Sequence, residues 1–154
     1  MNKSWLHTTG LTAVSIAAMI AASHEGTRYK AYTDVGGVWT ICQGHTKGVK
    51  LGDVANASQC RKYLLEDMAI ADASVTRCIK TAMNVNQQAS FDDAVFNVGP
   101  RVVCGSTLQR LANAGDITGA CEQLSRWVYV GSTKYQGLIN RRADDRELCL
   151  TEPL

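Results

Sequence analysis

The sequence lacks a charge imbalance, a metal-binding signature and any repetitive stretch, and each absence removes a class of function. Sixteen Lys and Arg stand against fourteen Asp and Glu, a net charge of only +2. The basic residues are scattered and not interleaved with aromatics, so nucleic acid is not an expected partner. No Cys-x-x-Cys pair occurs, and His7, His24 and His45 are not spaced with the cysteines as zinc ligands. Neither a metal nor a cofactor is expected. Two prolines, no low-complexity segment and no internal repeat argue against linkers, tails and solenoids. What remains is an ordinary globular composition, 45% hydrophobic and 19% charged, over 154 residues. That length suits one domain with one sizeable core, and a monomer is the expected state.

Six cysteines are present: Cys42, Cys60, Cys78, Cys104, Cys121 and Cys149. An even number of widely separated cysteines favours disulfides and a working place outside the cytoplasm. Reduced, buried and inert cysteines are the alternative.

From Trp5 to Ser23 no residue carries a formal charge, and Lys3 precedes the stretch. As one helix these nineteen residues would be about 28 Å long, close to the thickness of a bilayer's hydrocarbon. Eleven of the nineteen are Ala, Ser, Thr or Gly, however. At about −0.3 to −0.6 kcal/mol for each Leu, Ile or Val, the span is marginal. Three readings stand. The segment is a signal peptide cut near Ala22 or Ser23, which would strip the helix leading into Glu25. Alternatively it is a buried helix packing through Leu11, Val14, Ala18 and Ala21. Or it inserts as a signal-anchor, is exported uncut, and later leaves the membrane. The third reading alone accounts for both the bilayer-length run and the cysteine count, although Arg28 and Lys30 lie on its outer side. The working division is residues 1–24 as an N-terminal apolar helix and 25–154 as the catalytic domain.

Beyond it, alternation around Tyr32 and Val38–Cys42 reads as a small antiparallel hairpin turning at Val35-Gly36-Gly37. Residues 47–56 read as loop. Ser58 is placed to cap a helix running to Cys78, with Leu64, Leu65, Met68, Ala71 and Val75 on its apolar face. Asn84 and Gln87 form a capping-box pattern for a helix ending near Gly99-Pro100. Helices are expected at Ser106–Ala114, Ile117–Val130 and Gly137–Leu150. Helices with one small early sheet make the class α+β.

The chemistry concentrates in one region. Glu25 follows the apolar helix, where a hydrophobic wall would raise the pKa of a carboxyl towards that of a working acid. Asp34 lies nine residues on, in a polar, glycine-rich turn where a carboxylate stays ionised. Two carboxyls in contrasting surroundings are what glycoside hydrolysis uses. By spacing alone the pair also fits two solvated surface carboxylates. Likewise His24-Glu25-Gly26 fits a helix end with a capping glycine.

The run HEGTRYKAYTDVGGVWTICQGHT resembles the active-site region of phage lysozymes of the T-even and lambdoid endolysin type. There a helix ends in Glu-Gly, an Asp follows nine residues later, and a Thr six beyond that. Here these are Glu25, Asp34 and Thr40. AVFNVG (94–99), CGSTL (104–108), NAGDITGAC (113–121), SRWVY (125–129) and GLINRRADDRELC (137–149) resemble the C-terminal lobe of the same endolysins. The resemblance runs in order from about residue 20 to 150. It implies a lysozyme-like fold of two lobes with a cleft between them.

It further implies hydrolysis of the β-1,4 bond between N-acetylmuramic acid and N-acetylglucosamine in peptidoglycan. Glu25 would be the acid, Asp34 the second carboxylate, and Thr40 would help hold the attacking water. A lytic transglycosylase, a non-catalytic wall-binding protein on the same scaffold and, more remotely, a pore formed by the N-terminus are the alternatives. His45 is expected to be structural, and Trp39 and Trp127 to pack. Arg126, Arg141 and Arg142 are expected to hold helices or face anionic substrate.

The long apolar lead-in resembles the signal-anchor-release subclass, which implies transient inner-membrane contact through residues 5–23 and export to the host periplasm. In that subclass the released anchor folds onto the enzyme and switches it on. Cys42, Cys60, Cys121 and Cys149 match positions seen in such endolysins. Fifteen pairings are open; the expected set is Cys42–Cys60, Cys78–Cys104 and Cys121–Cys149, each joining neighbouring elements.

Overall fold

The computed structural model describes Lys3 and residues 10–154. The first helix, α1, spans Ala13–His24 and starts where Thr12 accepts a hydrogen bond from the Ser15 amide. Its twelve residues extend about 18 Å, and among the described residues no helix is long and apolar enough to cross a membrane. Trp5–Thr9, part of the uncharged run, lie outside the described residues. Ile16, Ala17, Ile20 and Ala21 are fully buried. The N-terminal segment thus supplies part of the main core.

The chain then forms a hairpin of β1 (Arg28–Thr33) and β2 (Trp39–Cys42), pairing Tyr32 with Thr40 and Thr33 with Trp39. A tight turn follows, with Cys42 at φ +60° and Gly44 at φ +86°, which lets Ile41 and His45 exchange backbone hydrogen bonds. The left-handed conformation costs Cys42 about 1–2 kcal/mol. Beneath this lobe lies a small core of Ile41, Cys42, Ala55 and Cys60. So few apolar side chains hold a lobe weakly. The Cys42–Cys60 disulfide, closing a separation of 18 residues, contributes about 3 kcal/mol by restricting the unfolded chain. His45 braces the same lobe. Its ring stacks on Tyr63, and its Nδ1 lies 2.8 Å from the Asp67 carboxylate.

The long helix α2 (Ala57–Cys78) connects this lobe to the rest. It begins one residue before the expected cap. Asn56, not Ser58, caps it, reciprocated by Gln59. Leu65, assigned to its apolar face, is exposed, whereas Cys60, Leu64, Met68, Ala71 and Val75 are buried. Next comes α3 (Val85–Val98), opened by the Asn84/Gln87 box and closed at Gly99, whose φ of +97° favours glycine. A 3₁₀ turn (Pro100–Val102) leads to α4 (Thr107–Asn113) and α5 (Ile117–Gln123). Where α5 was expected to run on to Val130, it gives way to a 3₁₀ turn at Leu124–Arg126. A second hairpin, β3 (Tyr129–Val130) and β4 (Thr133–Lys134), then precedes α6 (Gln136–Leu150). Disulfides join Cys78 to Cys104 and Cys121 to Cys149.

Helix α3 is the centre of the larger lobe, packed on by α1, α2 and α6. Phe91, fully buried, joins Ile16, Ile20, Met68 and Leu148 in the core. Each such side chain contributes roughly 1.5–3 kcal/mol. The surprise is the polar content of so central a helix: Asn86, Ser90, Asp92 and Asp93 are buried as well. The Gln88 side chain donates to both Asp72 on α2 and Asp92. Burial, then the neighbouring Asp72 charge, pushes the Asp92 carboxyl up to about 9.

A carboxyl raised in this way contributes stability that is complete below the unfolded value near 4 and is lost as pH rises towards 9. Asp92→Asn keeps the shape, the acceptor for Gln88 and a donor for Asp72. Its melting temperature should match the parent's near pH 4 and exceed it increasingly up to pH 9, by roughly 2–4 °C for each kcal/mol. Thermal melts across that range check this; a difference independent of pH would refute it.

Candidate active site

Between the hairpin lobe and the helical lobe lies a cleft of about 530 Å³. One wall is the turn after β2, with Gln43, Gly44 and Lys47; the other is formed by α2 and α3, with Ile70, Val95, Phe96 and Asn97. Glu25 stands at one end. On its other side a second cavity of about 360 Å³ is lined by His24, Glu25, Asn97, Val130, Tyr135 and Arg141, among others. Glu25 and Asn97 are shared by both cavities. The unexpected second hairpin supplies Val130 to the second one.

Glu25 is placed by the end of α1. It is the first non-helical residue, and its amide still donates to the Ala21 carbonyl at 2.8 Å. The chain therefore leaves the helix with this side chain turned to the cleft, about one third exposed. The cleft it lines carries the apolar side chains of Ile70, Val95 and Phe96, but the bonding partner of its carboxyl is a cation. Its Oε1 accepts from Arg141 Nη1 at 2.5 Å. Arg141 comes from α6, 116 residues away in the chain.

Arg141 is nearly buried, and its other edge is engaged too. Nε and Nη2 donate to Asp93 Oδ2 and Oδ1 at 2.8 and 2.7 Å, a two-bonded fork. Burial pushes the Asp93 carboxyl up, but the adjacent Arg141 charge overrides it and holds the carboxyl below its ordinary value. For Arg141 burial acts downward, and the Asp93 charge outweighs it, so the guanidinium stays charged. Behind them Arg142, fully buried, has Nη2 3.5 Å from Asp93 and Nε 2.7 Å from Asp145. Asp145 is raised well above its ordinary value by burial and then by the Asp93 charge. Of the three arginines expected to hold helices or face anionic substrate, only Arg126 is a surface residue, near Gln123. Arg141 is the neighbour of Glu25 that sequence reasoning undervalued.

Asp34 sits in the turn between β1 and β2. Its Oδ1 accepts from the Gly36 and Val38 amides at 2.8 and 2.9 Å, and among the described residues Oδ2 has no hydrogen-bond partner. Thr40 is buried and donates its hydroxyl to the Val38 carbonyl at 3.0 Å. Asp34 and Thr40 are thus brought together through Val38. Neither belongs to the lining of the cleft that contains Glu25. A bond from the Gln43 side chain to Thr27 ties the end of β2 to the link that follows Glu25. His24, next to Glu25, pairs with Asp144 at 2.8 Å, so α6 holds the end of α1 at two adjacent residues. Among the described residues no group of His, Cys, Asp and Glu is arranged to hold a metal.

Comparison with known proteins agrees with this architecture. A family model described as phage lysozyme matches residues 22–145. A protein called SAR-endolysin from Enterobacteria phage P21 is 39% identical over 127 residues, which are 82% of this chain and 77% of the relative. The muramidase domain of SpmX from Asticaccaulis excentricus superposes with a TM-score of 0.81 at 27% identity, over 88% of this chain and 95% of that one. The active form of the P1 phage endolysin Lyz does so at 0.80 and 25% identity, over 88% and 83%. An ordered match across both lobes, on a fold whose cleft ends at Glu25, leads to one conclusion: the chain belongs to the phage lysozyme family.

Proposed function

We propose that the protein is an endolysin that hydrolyses the β-1,4 bond between N-acetylmuramic acid and N-acetylglucosamine in host peptidoglycan, causing lysis. The observation that carries this is the position of Glu25: one acidic side chain shared by two adjoining cavities. A glycan laid across it puts a glycosidic oxygen beside the carboxyl, with sugar on either side. Glu25 delivers a proton to that oxygen as the bond to the anomeric carbon breaks. Asp34 is the second carboxylate. Its Oδ1 is fixed by two amides, so its free Oδ2 is the group that faces the charge developing on the sugar or the incoming water. Thr40, joined to the same turn, helps place that water. The names borne by the similar proteins, endolysin and muramidase, point to the same substrate.

The working place is the periplasm. Three disulfides form where the surroundings are oxidising, and the P21 relative is a SAR-endolysin. Residues 5–23 act first as a weak membrane anchor. The part that becomes α1 then leaves the bilayer and packs against α3, bringing Glu25 to the cleft. While the segment is embedded, that place in the core is empty and the enzyme is off.

Glu25→Gln should abolish release of reducing ends from purified peptidoglycan while the melting temperature holds. Full retained activity would overturn the assignment. Asp34→Asn should lower the rate by roughly 10²–10⁴-fold. Mass spectrometry of the products should show hydrated reducing ends; 1,6-anhydro ends would instead indicate a transglycosylase.

Export is tested by fractionating cells before and after collapse of the membrane potential, with lytic activity assayed in each fraction. Protein should move from the membrane to the soluble periplasm and gain activity. Protein found always soluble in the cytoplasm would refute the anchor.

A further inference from the structure

Arginine beside a carboxylate normally turns its fork so that two parallel N–H groups grip both oxygens. Were Arg141 free to do this with Glu25, both oxygens would be engaged and neither would be available to a glycan. The structure shows the opposite arrangement. Nε and Nη2 are taken by Asp93, and a single Nη1 reaches a single oxygen, Oε1. We propose that Asp93 is a positioning residue for the reaction: it clamps one edge of Arg141 so that Glu25 is steadied through Oε1 alone and presents Oε2 to the cleft. The inference rests on reading Glu25 as the proton donor.

The surroundings of Asp93 fit that task. It is fully buried on α3, whereas Glu25 is about one third exposed. From behind, Arg142 Nη2 lies 3.5 Å from its Oδ2, on the side away from Glu25. Arg141 lies near the Phe96 ring, its Cζ 5.8 Å from the ring centre. One helical turn beyond Asp93 on the same face is Asn97, which borders Glu25 in both cavities. Net stability does not explain the pair, because apolar residues of similar volume at such a site are often as stabilising as a buried ion pair. Direction does explain it: an aliphatic filler cannot orient a guanidinium.

The test is a kinetic cycle of Asp93→Asn, Arg141→Lys and the double variant, with kcat and KM measured on purified glycan strands. Asp93→Asn should lower kcat roughly 10–100-fold with KM little changed, since the group set askew acts on the transition state and not on binding. In the Arg141→Lys background, where no fork remains to be clamped, adding Asp93→Asn should cause no further loss of kcat. An equal loss in both backgrounds, or an unchanged kcat in the single variant, would overturn the proposal.

Arginine side-chain NMR of the parent protein gives a reading that needs no variant to fold. The four Nη protons of Arg141 should be separate because the group cannot rotate; averaged signals would also overturn it. Glu25→Gln separates the two levels. If that variant is dead and Asp93→Asn is normal, only the role of Asp93 falls. If Glu25→Gln is active, the proton-donor reading falls with it.

Discussion

One guanidinium holds the two ends of this molecule together. Arg141 touches Glu25 at the end of α1 and Asp93 in the middle of α3, while its own backbone belongs to α6. Three helices far apart in sequence therefore meet at one planar cation. A buried guanidinium has a large desolvation cost, met here by one carboxylate bonded twice and another bonded once. Arg141 and Arg142 both lie against Asp93, and their charges hold its carboxyl below its ordinary value. Asp145, inside the same cluster, is raised by burial and then by the Asp93 charge.

The same logic separates the acidic side chains of α3. Asp92 and Asp93 are neighbours in sequence and both fully buried, yet they shift in opposite directions. Successive helical residues point about 100° apart, so Asp93 turns to α6 and its arginines while Asp92 turns to α2 and meets another carboxyl, Asp72. Burial acts upward on both, and the sign of the nearest charge decides the outcome. A helix surrounded on several sides can carry such groups because each face meets a different neighbour.

The parts of the fold that were legible in the sequence are those set by local chemistry. The Asn84/Gln87 box, the Gly99 stop and the glycine turn of the first hairpin each depend on residues within four positions of one another. The Asn56/Gln59 box was equally local, but the adjacent Ser58 is also a good cap and drew the boundary two residues too far. The second hairpin gave no signal, because strands of two residues are too short to show alternation. Glu25 is singled out by the resemblance of its whole run, with Asp34 and Thr40 at the family's intervals, but nothing in that run points to Arg141. Hydrophobicity upstream in the chain describes the side of α1 that faces the core; what the end of α1 meets is set by α6. No local pattern announces a contact across 116 residues.

The composition of α1 answers to two demands at once under the anchor proposal. In the folded enzyme it must pack closely against α3, and the small residues Ala17 and Ala21, both fully buried, permit that approach while Ile16 and Ile20 fill the core. In a bilayer the same alanines add little to insertion, so the segment sits near the threshold between spanning and leaving. Replacing them with leucine would deepen the membrane state and overfill the core, disfavouring the active form twice over. Small residues are thus the solution common to both states. Nor does the membrane state have to be displaced by a strong force. The fold offers α1 a core to complete and, at its end, Arg141 for Glu25 and Asp144 for His24, and a weakly held helix needs no more than a modest difference to change its place.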